Sequence, residues 1–144
     1  AISLCVTSEF PRAQQTARLA LAARATSTRT TVDPDLNDIR IGDLEGKTLD
    51  DYRRWKHAHT RADRFPNGES LDEAAERYAN AFERLADDAT ETILCICHEI
   101  PVRYAVNAAA GSDNLDAPLH DVANATPYVF DGAGLRRAVV NLRR

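Results

Sequence analysis

The sequence has no methionine, only three cysteines and no excess of positive charge. Each of these shortages excludes or disfavours a class of protein. Because even a starting methionine is absent and the chain opens directly in a strand-like run, we expect a fragment of a longer translation product. An odd number of cysteines, all in apolar strand-like runs, favours reduced, buried thiols over a disulfide framework. We therefore expect a cytoplasmic protein.

Charge and hydropathy argue against nucleic acids and membranes as partners. The formal net charge is −4 and the isoelectric point is about 5.5, whereas non-specific nucleic-acid binding needs a basic surface. No apolar run approaches the ~20 residues of a membrane span. We expect neither nucleic acid nor a membrane as partner. With 144 residues, 44% hydrophobic and 28% charged, the chain has the composition of one globular domain over residues 1–144.

The most informative residue is His98, which stands where a strand-forming run stops and a helix begins. Residues 92–97 form a continuous apolar run, typical of a parallel strand buried on both faces. Pro101 then predicts the first turn of a helix that runs to Gly111. Ligands of open α/β sheets bind at the carboxyl ends of the strands. We therefore expect His98 to face an active-site crevice; the alternative is a core histidine satisfied by backbone groups.

Arg12 occupies the matching place earlier in the chain. Residues 3–6 predict another buried strand, and a helix follows from Pro11. Two strand ends that present Arg12 and His98 predict an anion site, with phosphate as the first candidate. The alternative is that Arg12 is an ordinary surface arginine.

The remaining elements indicate the fold class. Two capping boxes predict the starts of two helices, and they are Thr48 with Asp51 and Ser70 with Glu73. We expect a final strand near residues 126–130, a tight turn at Asp131-Gly132, and a returning edge strand or short helix over residues 135–142. This alternation of strands and helices predicts an α/β protein with a mostly parallel sheet.

Four motifs resemble those of one family. Residues 8–17 read S-E-F-P-R-A-Q-Q-T-A and resemble the S-x-x-x-R-A-x-Q-T-A signature of the histidine phosphatase superfamily, the phosphoglycerate mutase-like family. Residues 36–46 are similar to its L-x-E…G-x-x-E-G loop, residues 66–70 to its P-x-G-E-S segment, and residues 97–103 to its second-histidine motif. The motifs come in the family's order and cover nearly the whole chain. The resemblance implies a three-layer α/β/α fold.

The resemblance also implies a reaction. The family transfers a phosphoryl group to the histidine of an R-H-G motif on its first strand, and water or a second acceptor then takes it. Such chemistry consists mostly of positioning and charge neutralisation. By this resemblance Arg12 and His98 would bind the phosphate and Asp38 would be the general acid. We expect a small phosphorylated substrate, no cofactor and no metal.

Two positions differ from the family pattern. Asp38 stands where glutamate is usual and is one methylene shorter, so Glu9 or Glu45 could replace it as the acid. Glu99, which we also count among the substrate-binding candidates, follows His98 where many members have glycine. Its carboxylate would raise the pKa of His98, or repel phosphate if it pointed inward.

The chain contains no R-H-G motif. Its histidines are His57, His59, His98 and His120, and none follows an arginine and precedes a glycine. We expect the nucleophilic histidine on a strand upstream of the chain. The alternatives are a non-catalytic relative that binds or scaffolds phospho-ligands, and a phosphoglycerate mutase. A hydrolase is favoured because a short chain with a modest covering loop leaves water access to the phosphohistidine.

Other polar clusters have weaker interpretations. His57 and His59 lie in a basic stretch, where they either end a solvated helix or grip an anionic substrate, and His120 is expected to be an ordinary loop residue. Cys95 and Cys97 share a strand face, but the further ligands that a structural zinc site needs are missing. The alanine-rich residues 105–110 would pack internally or against a partner, so a homodimer is a possible assembly.

Overall fold

A computed structural model describes residues 2–24, 27–88, 92–117 and 122–144. Within these residues, three parallel strands form one sheet in the order β2-β1-β3. The strands are β1 (Ile2–Thr7), β2 (Arg29–Val32) and β3 (Thr92–Ile96). With helices between the parallel strands, the predicted α/β class is confirmed.

In the described part of the chain, five α-helices and two 3-10 helices accompany the sheet. The α-helices are α1 (Pro11–Leu21), α2 (Leu49–Ala58), α3 (Leu71–Asp87), α4 (Glu99–Ala109) and α5 (Gly132–Leu142). The 3-10 helices are Pro34–Leu36 and Gly42–Leu44. Both predicted capping boxes form, one at the start of α2 and one at the start of α3. Each satisfies backbone N–H groups that the first turn of a helix leaves without partners.

The central strand β1 positions the rest of the molecule. Leu4, Cys5 and Val6 are buried, as expected for a strand with a neighbour on each side. Pairing continues past the strand end, since the Ser8 amide donates to the Ile96 carbonyl at 3.2 Å. The segments that leave β1 and β3 are therefore held side by side at the carboxyl edge of the sheet.

The core is built around α3, whose inner face is rich in alanine. Ala74, Ala79 and Ala81 are fully buried, and such small side chains allow neighbouring elements to approach the helix closely. Tyr78 of α3 packs edge-to-face against Tyr104 of α4, with ring centroids 6.0 Å apart. The same helix contacts the 3-10 turn after β2. It thus supports the loop that follows that turn.

The C-terminal part of the chain differs from the prediction. Residues 126–130 form no strand, and Val129 is 92% exposed. Instead of a tight turn, the Asp131 carboxylate accepts a hydrogen bond from the Gly134 amide at 2.6 Å and caps α5. An exposed valine gains nothing from strand pairing here, whereas the capped helix buries one apolar face. Residues 135–142 are helical, which settles the alternative left open by the sequence.

The boundaries of α4 also differ slightly from the prediction. The helix after β3 begins at Glu99 rather than at Pro101, and it ends at Ala109. Pro101 is then the third helical residue, where the amide that proline lacks would have no intrahelical partner. Among the described helices, none is both long and apolar enough to cross a membrane.

Candidate active site

The ends of β1 and β3 bring Arg12 and His98 together. Arg12 is the second residue of α1, directly after Pro11 fixes the first turn. His98 is the residue from which α4 starts. Because the two strands are neighbours in the sheet, the two helix starts meet, and Arg12 Nη2 lies 3.0 Å from His98 Nδ1.

Both nitrogens of the His98 ring have partners. Nε2 lies 2.8 Å from the Oγ of Ser8. Since a guanidinium can only donate, Nδ1 accepts from Arg12, and the proton of the neutral ring belongs on Nε2, which donates to Ser8. The Phe10 ring packs edge-to-face at 4.7 Å and completes the setting. His98 is 8% exposed, so its ring is held in one orientation.

Asp38 joins the pair from the loop after the first 3-10 helix. Its Oδ2 lies 3.4 Å from Arg12 Nη2 and 3.9 Å from His98 Nδ1. Its Oδ1 accepts from the Ile39 amide at 3.0 Å. The three residues selected from the sequence are therefore neighbours, although they come from three separate segments.

The charges around His98 favour its neutral form. Burial lowers the pKa of His98, and the guanidinium groups of Arg12 and Arg77 lower it further, against the opposing effect of Asp38. The Glu99 carboxylate pairs instead with Arg103, one turn along α4. The pKa of His98 is thus lowered rather than raised, contrary to one of the two roles considered for Glu99. A bound anion would add negative charge beside the ring and would favour its protonated form.

The lowered pKa of His98 makes stability depend on pH. Below the ordinary histidine pKa of 6.5, the unfolded chain binds a proton that the folded chain does not, so the free energy of unfolding falls as the pH drops. We expect the loss between about pH 8 and about pH 5.5 to be smaller in His98→Gln than in the natural protein. Urea unfolding at the two values measures it. An equal loss in both proteins would show that His98 titrates normally.

Other predicted acids lie around this centre. Glu9 is one residue beyond Ser8, and its carboxylate accepts from the Asn37 side-chain amide at 2.7 Å. The Glu9 backbone amide in turn donates to the Asn37 side-chain oxygen at 2.9 Å. Glu45 ends the second 3-10 helix and is exposed. Asp38 is the acid in contact with Arg12.

The remaining histidines are away from these contacts or outside the described residues. His57 is exposed on the last turn of α2. His59 Nδ1 donates to the Trp55 carbonyl at 2.8 Å, and its ring stacks on the Trp55 ring with centroids 4.0 Å apart. His120 lies outside the described residues. Within the part of the chain that the structure describes, no group of three or more histidine, cysteine or acidic side chains could hold a metal ion.

Ser8 is a site residue that sequence reasoning missed. It is fully buried and its hydroxyl contacts His98. The available signal was its position directly after β1, at the start of the first family motif. Ser8 is unsuited to act as a nucleophile, because the neighbouring Nε2 carries the proton and cannot accept the one a serine would have to lose. Its hydrogen bond to Nε2 holds the orientation of the His98 ring.

Comparison with known proteins places this site in a family. The family model described as histidine phosphatase superfamily (branch 1) matches residues 1–143. The chain belongs to the histidine phosphatase superfamily. No curated protein sequence gives a significant match.

Solved structures of histidine phosphatase fold resemble the chain. A putative alpha-ribazole-5'-P phosphatase from Escherichia coli is 25% identical, with a TM-score of 0.66 over 81% of this chain and 60% of that one. The alpha-ribazole phosphatase from Shigella flexneri is 26% identical, with a TM-score of 0.62 over 78% and 58%. Bacillus stearothermophilus YhfR, 24% identical, shares the fold with a TM-score of 0.68 over 91% and 65%. The chain therefore spans about three-fifths of the length of these proteins.

Proposed function

We propose that this protein is a phosphomonoester hydrolase that acts through a phosphohistidine intermediate on a small phosphorylated substrate. The observation that carries the proposal is the meeting of Arg12, His98 and Asp38 at the carboxyl edge of the sheet, with Nδ1 of His98 within 4 Å of both partners. A cation, a histidine and a carboxyl group in one place can supply the charge neutralisation and, from the protonated carboxyl group, the proton that phosphoryl transfer needs. Membership of the superfamily and the phosphatase names of two similar structures support it.

The first step transfers the phosphoryl group from the ester to a histidine. A phosphorus–nitrogen bond forms while the phosphorus–oxygen bond to the leaving group breaks. Arg12 turns from His98 to the phosphoryl oxygens, and its planar fork binds two of them. Asp38 enters this step in its protonated form and gives its proton to the leaving oxygen, so that an alcohol rather than an alkoxide departs.

We place the nucleophilic histidine in an R-H-G motif upstream of the chain. None of the histidines in the sequence has that setting. Within the described residues β3 has one strand neighbour, β1, and its other edge offers unpaired backbone groups to a further parallel strand. A strand at that edge would end beside His98, on the side of the site opposite Arg12.

The second step releases phosphate. Water attacks the phosphorus, the phosphorus–nitrogen bond breaks, and the Asp38 carboxylate takes a proton from the water. With the anion bound, His98 takes a proton from solvent and donates from Nδ1 to a phosphoryl oxygen, because the negative charge of the anion opposes the guanidinium charges that help to lower its pKa. It returns this proton to solvent when phosphate leaves. The protein ends the cycle in its starting protonation state.

The test is turnover of p-nitrophenyl phosphate by the full-length protein, together with intact-mass measurement after rapid mixing at neutral pH. We expect release of p-nitrophenol and a transient gain of one phosphoryl group that is lost in acid, as phosphohistidine is. Turnover without an acid-labile adduct would contradict the intermediate, and transfer of phosphate between positions of a phosphoglycerate would indicate a mutase.

A second candidate is a relative that binds phospho-ligands without turning them over, which the contact between Arg12 and His98 would also allow. It would retain Arg12 and His98 as a phosphate pocket. Phosphate binding in calorimetry with no turnover of any ester would select this candidate over the hydrolase.

A further inference from the structure

A buried ion pair lies beneath the loop that carries Asp38. Arg77 of α3 and Glu69 are 8% and 6% exposed. Arg77 Nε donates to Glu69 Oε2 at 3.1 Å, and Arg77 Nη2 contacts Glu69 Oε1. Removing two charges from water is costly, and a pair of apolar residues often stabilises a fold equally well. The pair therefore calls for a reason beyond packing.

The donors of Arg77 that Glu69 does not occupy reach the Asp38 loop. Nη1 donates to the carbonyls of Asp35 at 2.8 Å and Asn37 at 2.9 Å. Nη2 donates to the carbonyl of Asp38 itself at 3.3 Å. A guanidinium has five N–H groups, and in Arg77 each has an acceptor. Three of the five hold the backbone of the loop.

Glu69 holds the other side of the same loop. Its Oε1 accepts from the Arg40 amide at 3.0 Å, and its own amide donates to the Arg40 carbonyl at 2.9 Å. The backbone is therefore held on both sides of Asp38. Arg77 binds the carbonyls of Asn37 and of Asp38 itself, and Glu69 binds the amide of Arg40.

We propose that the Arg77–Glu69 pair is a positioning device for the proton donor, a role that rests on the proposed hydrolase function. Aspartate has a short side chain, so the position of its carboxyl group follows its backbone closely. Catalytic groups must be held to within about 0.5 Å. Arg77 and Glu69 together make five hydrogen bonds to the backbone of residues 35–40, one of them to Asp38 itself. Three come from the Arg77 guanidinium, one is accepted by the Glu69 carboxylate and one is donated by the Glu69 amide.

The test compares leaving groups in Arg77→Lys. Lysine keeps the charge opposite Glu69 but carries its donors on a single nitrogen and cannot reach all three carbonyls. An alkyl phosphate needs the proton from Asp38, whereas p-nitrophenolate leaves without one. We expect kcat/KM for ethyl phosphate to fall by ~10²-fold and kcat/KM for p-nitrophenyl phosphate to fall by less than about threefold, with the loss in kcat rather than KM.

Arg84→Lys is the matched control. Arg84 lies two turns further along α3 and binds Asp33 and Asp35 at the surface. We expect kcat/KM for both substrates to be the same in Arg84→Lys as in the unsubstituted protein. An equal loss on both substrates in Arg77→Lys would overturn the positioning role and leave a structural one. If Arg77→Lys fails to fold, Glu69→Gln, which keeps the shape and one acceptor, takes its place in the same comparison.

A readout without turnover separates this proposal from the proposed function. Asp38 raises the pKa of His98, so displacement of its loop should lower the midpoint of the His98 ring titration, followed by NMR. If the unsubstituted protein turns over neither ester, the hydrolase proposal fails. The titration then decides by itself whether the Arg77–Glu69 pair positions Asp38. A midpoint lowered in Arg77→Lys supports positioning, and an unchanged midpoint overturns it.

Discussion

Replacement of Arg12 with alanine is expected to lower kcat/KM for a phosphomonoester by ~10²-fold or more, which corresponds to ~3 kcal/mol of transition-state stabilisation. Arg12 is the permanent positive charge in contact with both His98 and Asp38. Under the proposed function, its removal would take a forked donor away from two oxygens of the phosphoryl group and would leave the Asp38 carboxyl group facing the anion directly. Steady-state kinetics on p-nitrophenyl phosphate measure the effect.

Arg18 provides the control on the same helix. It lies exposed on the last turn of α1, and Arg18→Ala removes an equal charge from α1 without touching the site. We expect Arg18→Ala to retain natural kinetics. If Arg12→Ala had the same kcat/KM as the unsubstituted protein, Arg12 would not bind the phosphate, and the proposed phosphate pocket would lose its basis.

Gly42→Ala is expected to lower the free energy of unfolding by ~1–3 kcal/mol more than Gly46→Ala. Both glycines have positive φ, +54° and +74°, so alanine costs each about 1 kcal/mol of backbone strain. They differ in the room that surrounds an added Cβ. A Cβ at Gly42 would lie 2.1 Å from the Pro66 carbonyl oxygen, whereas one at Gly46 meets nothing within 4 Å. Urea unfolding of the two variants isolates the collision.

The reason for the close approach is that two of the family motifs are joined there. The Asp43 amide donates to the Pro66 carbonyl at 2.8 Å, and the Asn67 side chain donates to both oxygens of the Asp43 carboxylate. The obstacle at Gly42 is backbone, which cannot rotate away. Equal stability losses in Gly42→Ala and Gly46→Ala would mean that these two loops separate at little cost.

Local signals account for the parts of the fold that were predicted correctly. A capping box involves residues only three positions apart, so Thr48 and Ser70 identified the starts of α2 and α3 by themselves. The two apolar runs became neighbouring parallel strands. The strand expected near residues 126–130 was wrong because aromatic and β-branched residues there indicate a strand only if a partner strand lies alongside, and Val129 is exposed.

The site was predictable where a strand end or a motif marked it. Arg12 and His98 follow strands, and Asp38 lies within a family motif, so their meeting could be expected. The Arg77–Glu69 pair could not, because its members lie on a helix and a loop whose approach depends on how α3 packs. The tautomer of His98 likewise depends on Ser8 and Arg12 together, which no spacing in the sequence encodes.

The distance in sequence between the partners of His98 has a consequence for folding. Ser8 and His98 are 90 residues apart, and Arg12 and Asp38 are 26 apart. Contacts between such distant segments form only after long loops have closed. The contacts around His98 therefore exist in the completed fold alone. Under the proposed function, an anion held between Arg12 and His98 would bind the folded chain but not the unfolded one. By mass action such a ligand would stabilise the whole sheet, and the lifetime of the folded protein would then depend on the supply of that ligand.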